Sequence, residues 1–312
     1  MPPSRRPVGK TTSRAKPVRP RQRPLTKAKL NVAMACDTAF RIIARRYLDA
    51  LSANKEATCN GDPMALHMMR VALTHLRTAI LFFSPMVDDA VRNEIRDELK
   101  WLNGELGAVR DLDVAVERIE TIDAKPPETL SAVGAWNEKR AEGHHNLARA
   151  LRSVRYDWLI EQASDWVENG PWSTTKSKQA AAARTTPIGV YAADKFAEWE
   201  QKLLKRSRKL AKMGTKRRHR LRLLNKKLTY SIDSFEDLFS DKKFSKQKAK
   251  LKQLRKAQRS LGQLNDGARG QALAAELQRS GVQTPMQFLT SGRKKRLLKK
   301  ASNAYRKLNK LK

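Results

Sequence analysis

One amphipathic helix pattern occurs twice in this chain of 312 residues. The first copy begins at His67 and the second at His219, and in each copy an Arg follows three residues later. Positions 0, +3, +7 and +10 of this pattern lie within roughly 80° of one another on an α-helix, because successive residues are about 100° apart. Each copy therefore predicts a helix with one positively charged face. The residues of this face are His67, Arg70, Arg77, His219, Arg222 and Lys226, with Lys227 at its edge.

The opposite face of each copy is apolar at matched positions. It carries Met69, Ala72, Leu76, Ile80 and Phe83 in the first copy and Leu221, Leu224, Leu228, Ile232 and Phe235 in the second. An apolar stripe at helical spacing predicts a face that is buried in a core. Each helix is therefore expected to pack on one side and to present an anion-binding surface on the other.

A second motif follows each copy. Leu106-Gly107 and Leu261-Gly262 each precede an Asp by a few residues, and each lies about 40 residues after the His. Two anchors at nearly the same separation favour an internal duplication of about 150 residues, in which each half is a bundle of roughly four helices.

The predicted fold class is all-α, because strand signals with a period of two are absent from the sequence. Two pseudo-symmetric four-helix bundles are expected, at about 27–172 and 188–312, joined by a linker at about 173–187 that is rich in Ala, Ser, Thr and Lys. Residues 1–26 are expected to be a disordered basic tail, since the first 24 residues contain eight Lys and Arg and no acidic residue.

The net charge of the chain limits the kinds of molecule that it is expected to bind. The chain has 65 Lys and Arg against 31 Asp and Glu, a formal net charge of +34. Such self-repulsion is best tolerated when a polyanion neutralises it, and nucleic acid, inorganic polyphosphate and an anionic membrane surface all qualify. Two unpatterned cysteines favour a reducing cytoplasm. Neither a signal peptide nor a membrane-spanning segment is expected.

The two motifs resemble those of the CHAD family, named for its conserved histidines in an α-helical domain. The first half supplies His67, Arg70, Leu76, Arg77 and the segment from Trp101 through Leu106-Gly107 to Asp111 and Asp113. The second half supplies His219, Arg222, Lys226, Lys227, Leu228, Tyr230 and the segment from Leu261-Gly262 to Asp266. Thr74 and His75 depart from the basic pair that is usual in the family, and Thr229 from the usual Arg.

The resemblance implies two helical bundles around a basic groove or pore that binds inorganic polyphosphate. It implies a binding protein rather than an enzyme, with no cofactor and no metal, in the cytoplasm and in association with polyphosphate granules. The acidic start of a CYTH domain, which precedes some relatives, is not found, so the chain resembles the stand-alone form. Protein partners are left unknown.

Further basic residues lie on the helices that precede each His helix and are expected to line the same groove. These are Arg41 and Arg45 in the first half, and Lys202, Lys205 and Arg208 in the second.

The sequence is also compatible with other functions, although it favours them less. Asp111 and Asp266 are a possible metal-binding pair for phosphate hydrolysis, but an acidic residue in this motif is better explained as the partner of a basic side chain. His144 and His145 are adjacent and therefore point to different sides of a helix, so they are not expected to bind a metal ion together. The main alternative is a nucleic-acid-binding protein that uses the same basic surface, although no nucleic-acid-binding signature is present.

Overall fold

The computed structural model describes residues 28–120, 127–240, 242–244, 246–279 and 290–311, so the predicted tail at 1–26 lies outside the described residues. The described part forms an all-α fold, as predicted, and none of its helices is long and apolar enough to cross a membrane. The α-helices are α1 (Cys36–Cys59), α2 (Pro63–Phe82), α3 (Ala90–Glu120), α4 (Pro127–Leu151), α5 (Val154–Asn169), α6 (Lys178–Thr185), α7 (Ile188–Ser207), α8 (Thr215–Ser234), α9 (Gln247–Arg279) and α10 (Ser291–Asn309).

The start of α2 follows from local sequence. Asp62 is the N-cap, and its side chain accepts a hydrogen bond of 2.8 Å from the backbone amide of Met64. Pro63 occupies the first helical position, where its missing N–H costs nothing. Gly61 has a φ of 82° in the turn before the cap, which a residue with a side chain rarely adopts. These residues fix where the helix that carries His67 begins.

The segment expected to be a linker contains α6. Its run of alanines favours a helix, and Ala180 is buried where α6 packs against α1. Arg184 donates hydrogen bonds of 2.9 Å to the carbonyl oxygens of Trp172 and Thr175, which ties the end of α6 to the preceding turn.

The helices form two bundles related by the duplication. Helices α1 to α4 make the first, with α5 packed against α1, α3 and α4, and helices α7 to α10 make the second. Equivalent helices meet between the bundles: α1 contacts α7, α2 contacts α8, and α3 contacts α9. The two halves are therefore related by a pseudo-two-fold axis.

Backbone hydrogen bonds mark the position of that axis. Ala35 forms an isolated antiparallel bridge with Pro187, which lies 152 positions later, the same separation as between His67 and His219. The amide of Cys36 donates to the oxygen of Thr186 (3.1 Å), and the amide of Ile188 donates to the oxygen of Met34 (2.7 Å). These two bonds exchange equivalent partners. The backbone just before α1 is therefore paired with the second half, and α1 begins at Cys36.

The two bundles share one continuous hydrophobic core. Phe83 and its equivalent Phe235 lie 6.3 Å apart between ring centroids, and Phe82 contacts Phe235 at 5.2 Å and Phe196 at 5.6 Å. Every apolar residue predicted on the inner faces of α2 and α8 is buried. Because aromatic side chains bury large apolar areas, this cluster fixes the position of one bundle against the other.

His75 lies buried at the interface of the bundles. Its ring stacks on Tyr47 and tilts against Tyr230, both at 4.5 Å between centroids, and its Nδ1 is 3.1 Å from Oγ of Ser234. Burial, reinforced by the nearby charge of Lys226, lowers the pKa of His75 to about 4. A neutral imidazole therefore replaces, inside the interface, the basic residue that the family pattern places on this helix.

Acid should weaken the interface through His75. Its pKa in the unfolded chain is about 6.5, so between about pH 6.5 and 4 the unfolded chain binds a proton that the folded chain does not. Uptake of this proton by the unfolded chain should lower the free energy of unfolding by about 2 kcal/mol at pH 5. Urea titrations at pH 7 and pH 5 should show a smaller acid-induced loss in His75→Phe than in wild type.

The exposed His145 offers a matched control. His145→Gln should lose as much stability on acidification as wild type. An equal loss in wild type and His75→Phe would show that the buried imidazole does not set this pH dependence.

Candidate anion-binding groove

A single large groove of about 2270 Å³ lies between α2, α3, α8 and α9, and Lys294 of α10 also lines it. Among the described residues, its lining includes fourteen Lys and Arg, two His and three acidic residues, which are Asp88, Asp111 and Asp266. So many cations facing one cavity create a strongly positive potential, because low-dielectric walls focus the field. The groove is therefore suited to a polyanion that can enter a narrow space.

The structure brings the two charged helix faces together. Because α2 packs against α8, the charged face of each helix borders the same cavity. All seven residues predicted on these faces line it: His67, Arg70, Arg77, His219, Arg222, Lys226 and Lys227.

Arg41 and Arg45 do not line the groove, contrary to expectation. The guanidinium of Arg45 forms an ion pair with Glu168, and Arg41 donates to the backbone oxygen of Glu168 at 3.3 Å and to Asp37 at 3.3 Å. The Arg41 guanidinium also lies 4.9 Å from the ring centroid of Trp172. The end of α5 and the turn after it cover this side of α1, so these arginines join α1 to α5 instead.

Lys202, Lys205 and Arg208 also lie outside the groove lining. They are exposed on α7 and at its C-terminal end, and α8 lies between α7 and α9. Lys202 is nevertheless close enough to Lys227 to help lower its pKa, after the larger effect of burial. Of these three, Lys202 alone is shown to act electrostatically on a groove residue.

Several cations of the groove are not predicted by the sequence motifs. Arg110 lies inside the Leu-Gly motif, and Arg218 and Arg220 flank His219, so their positions in the motifs were available as a signal. Arg269 and Arg92 carried no local signal. The complete set of cations not predicted is Arg92, Arg96, Arg110, Lys216, Arg218, Arg220, Arg259, Arg269 and Lys294.

Lys226 is the most strongly perturbed cation of the groove. Burial, followed by the positive charges of Arg222, Arg70 and Arg77, lowers its pKa to about 8. Its Nζ lies 5.3 Å from the ring centroid of Tyr230, a cation–π contact that partly compensates for the lost solvation. An anion bound here would relieve the repulsion among these groups.

His67 lies in a similar field. Burial lowers its pKa, and the charges of Arg110, Arg70 and Lys226 lower it further. In the second half, Nδ1 of His219 instead lies 3.1 Å from Oδ1 of Asn265, the residue equivalent to Arg110 in the Leu-Gly motif. The two histidines therefore have different neighbours, one cationic and one neutral.

The glycine of the first Leu-Gly motif makes room for a guanidinium. A Cβ placed on Gly107 would lie 3.1 Å from Nη1 of Arg70, whereas one on Gly262 would meet no atom within 4 Å. Nη1 of Arg70 is buried and has no hydrogen-bond partner among the described residues. Because an unpaired buried donor costs free energy, this atom is ready to donate to a bound anion.

The acidic residues of the first Leu-Gly motif, Asp111 and Asp113, pair with arginines. Asp111 accepts from Nε and Nη2 of Arg269 at 3.0 and 2.6 Å, which joins α3 to α9 across the two halves. Asp113 is buried and contacts Arg140 at 2.9 Å and His144 at 2.8 Å. The pairing of Asp111 agrees with its expected role as a partner of a basic side chain. Within the described part of the chain, no group of three or more His, Cys, Asp or Glu is arranged to hold a metal ion.

Replacement of each glycine by alanine should show that the two motifs have different roles in binding. Gly107→Ala should displace the Arg70 guanidinium and weaken binding of inorganic tripolyphosphate about fivefold, because a charged hydrogen bond is disturbed. Gly262→Ala should leave affinity within about twofold and raise the free energy of unfolding by about 0.5–1 kcal/mol, since alanine favours a helix. Calorimetric titration and urea unfolding measure both effects. Equal affinities of the two variants would show that Arg70 does not contact the ligand.

Comparison with known proteins agrees with this architecture. A family model described as the CHAD domain matches residues 42–275. The fold is similar to the crystal structure of the CHAD domain from the plant Ricinus communis, with a TM-score of 0.73, 25% identity and coverage of 91% of this chain and 95% of that one. It is also similar to PptA from Streptomyces chartreusis, with a TM-score of 0.58, 16% identity and coverage of 89% and 96%. No curated protein sequence matches the chain. The chain belongs to the CHAD domain family.

Proposed function

We propose that the groove binds inorganic polyphosphate. The observation that carries this proposal is the concentration of fourteen Lys and Arg among the described residues that line one cavity, with Arg70 and Lys226 half-buried among them. A flexible chain of phosphates carries charge along its whole length and can follow a groove that its cations line on both sides. The family to which the chain belongs supports the same ligand.

Different cations have different tasks in this proposal. Guanidinium groups such as Arg70 and Arg222 can hold a phosphate through two parallel hydrogen bonds, while Lys226 acts as a compact charge. Asp111 orients Arg269 at the boundary of the two halves. Binding releases the counterions of the polyanion and should weaken steeply as salt increases.

The proposed activity is binding without hydrolysis. Hydrolysis of a phosphate chain usually requires carboxylates that hold metal ions against the phosphates. Asp111 pairs with Arg269, and Asp113 with Arg140 and His144. A protein with this role would be found with polyphosphate in the cytoplasm, including its granules.

Nucleic acid is the main competing ligand, and competition tests it directly. Long-chain polyphosphate should displace duplex DNA from the protein at physiological salt, because the half-buried cations inside the groove can contact a narrow chain better than a wide duplex. Arg70→Ala/Arg222→Ala should weaken polyphosphate binding about 10- to 100-fold, the result of two lost charged contacts. Fluorescence anisotropy with labelled DNA gives both affinities.

Lys205→Ala/Arg208→Ala removes the same charge from exposed positions outside the groove and should change affinity by no more than about threefold. Displacement of polyphosphate by DNA, or equal effects of the two double variants, would contradict the proposal.

Binding should tighten as the pH falls from 8 to 6. In the free protein the pKa of His67 lies below its usual value, and that of Lys226 is about 8. A bound phosphate chain raises both pKa values, so protons are taken up on binding and higher pH opposes it. The dissociation constant of long-chain polyphosphate, measured by calorimetry, should be smaller at pH 6 than at pH 8. His67→Ala/His219→Ala should flatten this dependence below pH 7, and a flat profile in wild type would place both imidazoles outside the site.

A further inference from the structure

Lys226 lies in the groove beside an aromatic ring and several guanidinium groups. Its side chain leaves α8 into the groove between the two halves and ends against the ring of Tyr230, with Nζ 5.3 Å from the ring centroid. The charges that act most strongly on it are the guanidinium groups of Arg222, Arg70 and Arg77. Arg222 lies one helical turn before Lys226 on α8, and both residues line the groove together with Arg70 and Arg77 of α2. The amine therefore shares one cavity with three groups that can bind phosphoryl oxygens.

This environment favours the neutral amine. With a pKa of about 8, roughly a quarter of Lys226 is unprotonated at pH 7.5, against about a thousandth of a lysine with the ordinary pKa near 10.5. Neutral amine is the nucleophilic form, so Lys226 combines a reactive group with a phosphate-binding surround.

We propose that Lys226 is a site of acylation by acyl phosphates, small molecules that carry an acyl group on a phosphate. Arg70, Arg77 and Arg222 would bind the phosphoryl oxygens and place the neighbouring carbonyl carbon beside Nζ of Lys226. The inference rests on the proposed function only in that the same guanidinium groups recognise phosphate in both cases.

The chemistry balances without a cofactor. The lone pair of Nζ attacks the carbonyl carbon, a C–N bond forms, and the C–O bond to the phosphate breaks. Inorganic phosphate leaves with the electron pair of that bond, and the proton lost by the amine passes to water or to the departing phosphate. The arginines stabilise the negative charge that develops on the phosphate as it leaves.

Acylation would change the groove for as long as the acyl group stays on Lys226. The product is a neutral amide, so the groove lining that includes Arg70 and Arg222 loses one cation, and the acyl group occupies space beside Tyr230. Both effects oppose a polyanion. The modification would therefore link polyphosphate affinity to the supply of acyl phosphates, the class of compound made when a kinase phosphorylates a carboxylic acid.

The first experiment measures where acylation occurs. The full chain is incubated with acetyl phosphate at pH 7.5, and the occupancy of each lysine is followed by peptide mass spectrometry. Lys226 should be acetylated at least about tenfold faster than Lys216, which is exposed at the groove, and Lys100, which is exposed on α3 outside it. The same incubation with acetic anhydride, which lacks a phosphoryl group, should show a smaller preference. Excess tripolyphosphate should protect Lys226 from acetyl phosphate.

The second experiment measures the consequence. Acetyl phosphate treatment should weaken polyphosphate binding by wild type on the order of tenfold, the loss of one charged contact. Lys226→Arg cannot be acylated and should keep after treatment the affinity that it had before it. Lys226→Gln, which resembles the product, should bind as weakly as treated wild type.

The two proposals fail in different ways. If polyphosphate binds but Lys226 reacts no faster than Lys100, the acylation site is refuted and the binding function stands. If Lys226 is acetylated selectively but polyphosphate does not bind, the groove recognises small phosphates and the proposed function is refuted. Equal loss of affinity in treated wild type and treated Lys226→Arg would also overturn the regulatory role of this residue.

Discussion

The packing of α2 against α8 determines both the core and the groove. The apolar stripes of the two helices are buried in a core shared by both halves, and this packing turns both charged faces toward one cavity. Like charges repel, and the desolvation of Arg70 and Lys226 adds a further cost. The burial of large side chains such as Phe82, Phe83 and Phe235 supplies the opposing free energy. The contact between α2 and α8 therefore both stabilises the fold and brings like charges close together.

Local sequence was sufficient to predict the all-α fold and the two charged helix faces that border the groove, but not α6, which lies in the expected linker. Helical periodicity separates an inner face from an outer face, and the duplication indicates that two such helices are equivalent. The periodicity of α1 also shows correctly that Arg41 and Arg45 point away from its core face. It cannot show that Glu168 at the end of α5 meets them there, because that contact joins residues far apart in the sequence. Arg269 was missed for the same reason, since its partner Asp111 lies in the other half.

The two walls of the groove are chemically unequal. His67 lies beside the charge of Arg110, whereas His219 lies beside the amide of Asn265. Gly107 lies against the guanidinium of Arg70, whereas Gly262 faces open space. A ligand with two identical ends would therefore meet different surroundings at the two histidines. The internal repeat supplies the framework of the site, and the differences between its halves make the two walls of the groove distinct.

The exchanged hydrogen bonds between residues 34–36 and 186–188 have the form of an isologous contact, in which one surface pairs with its own copy about a two-fold axis. The chain is therefore the covalent counterpart of a symmetric homodimer. In a true homodimer every substitution occurs on both sides of the axis at once. A single polypeptide is free of that constraint, so the interface can hold the neutral His75 in one half while the equivalent position of the other half, Lys227, contributes a cation to the groove.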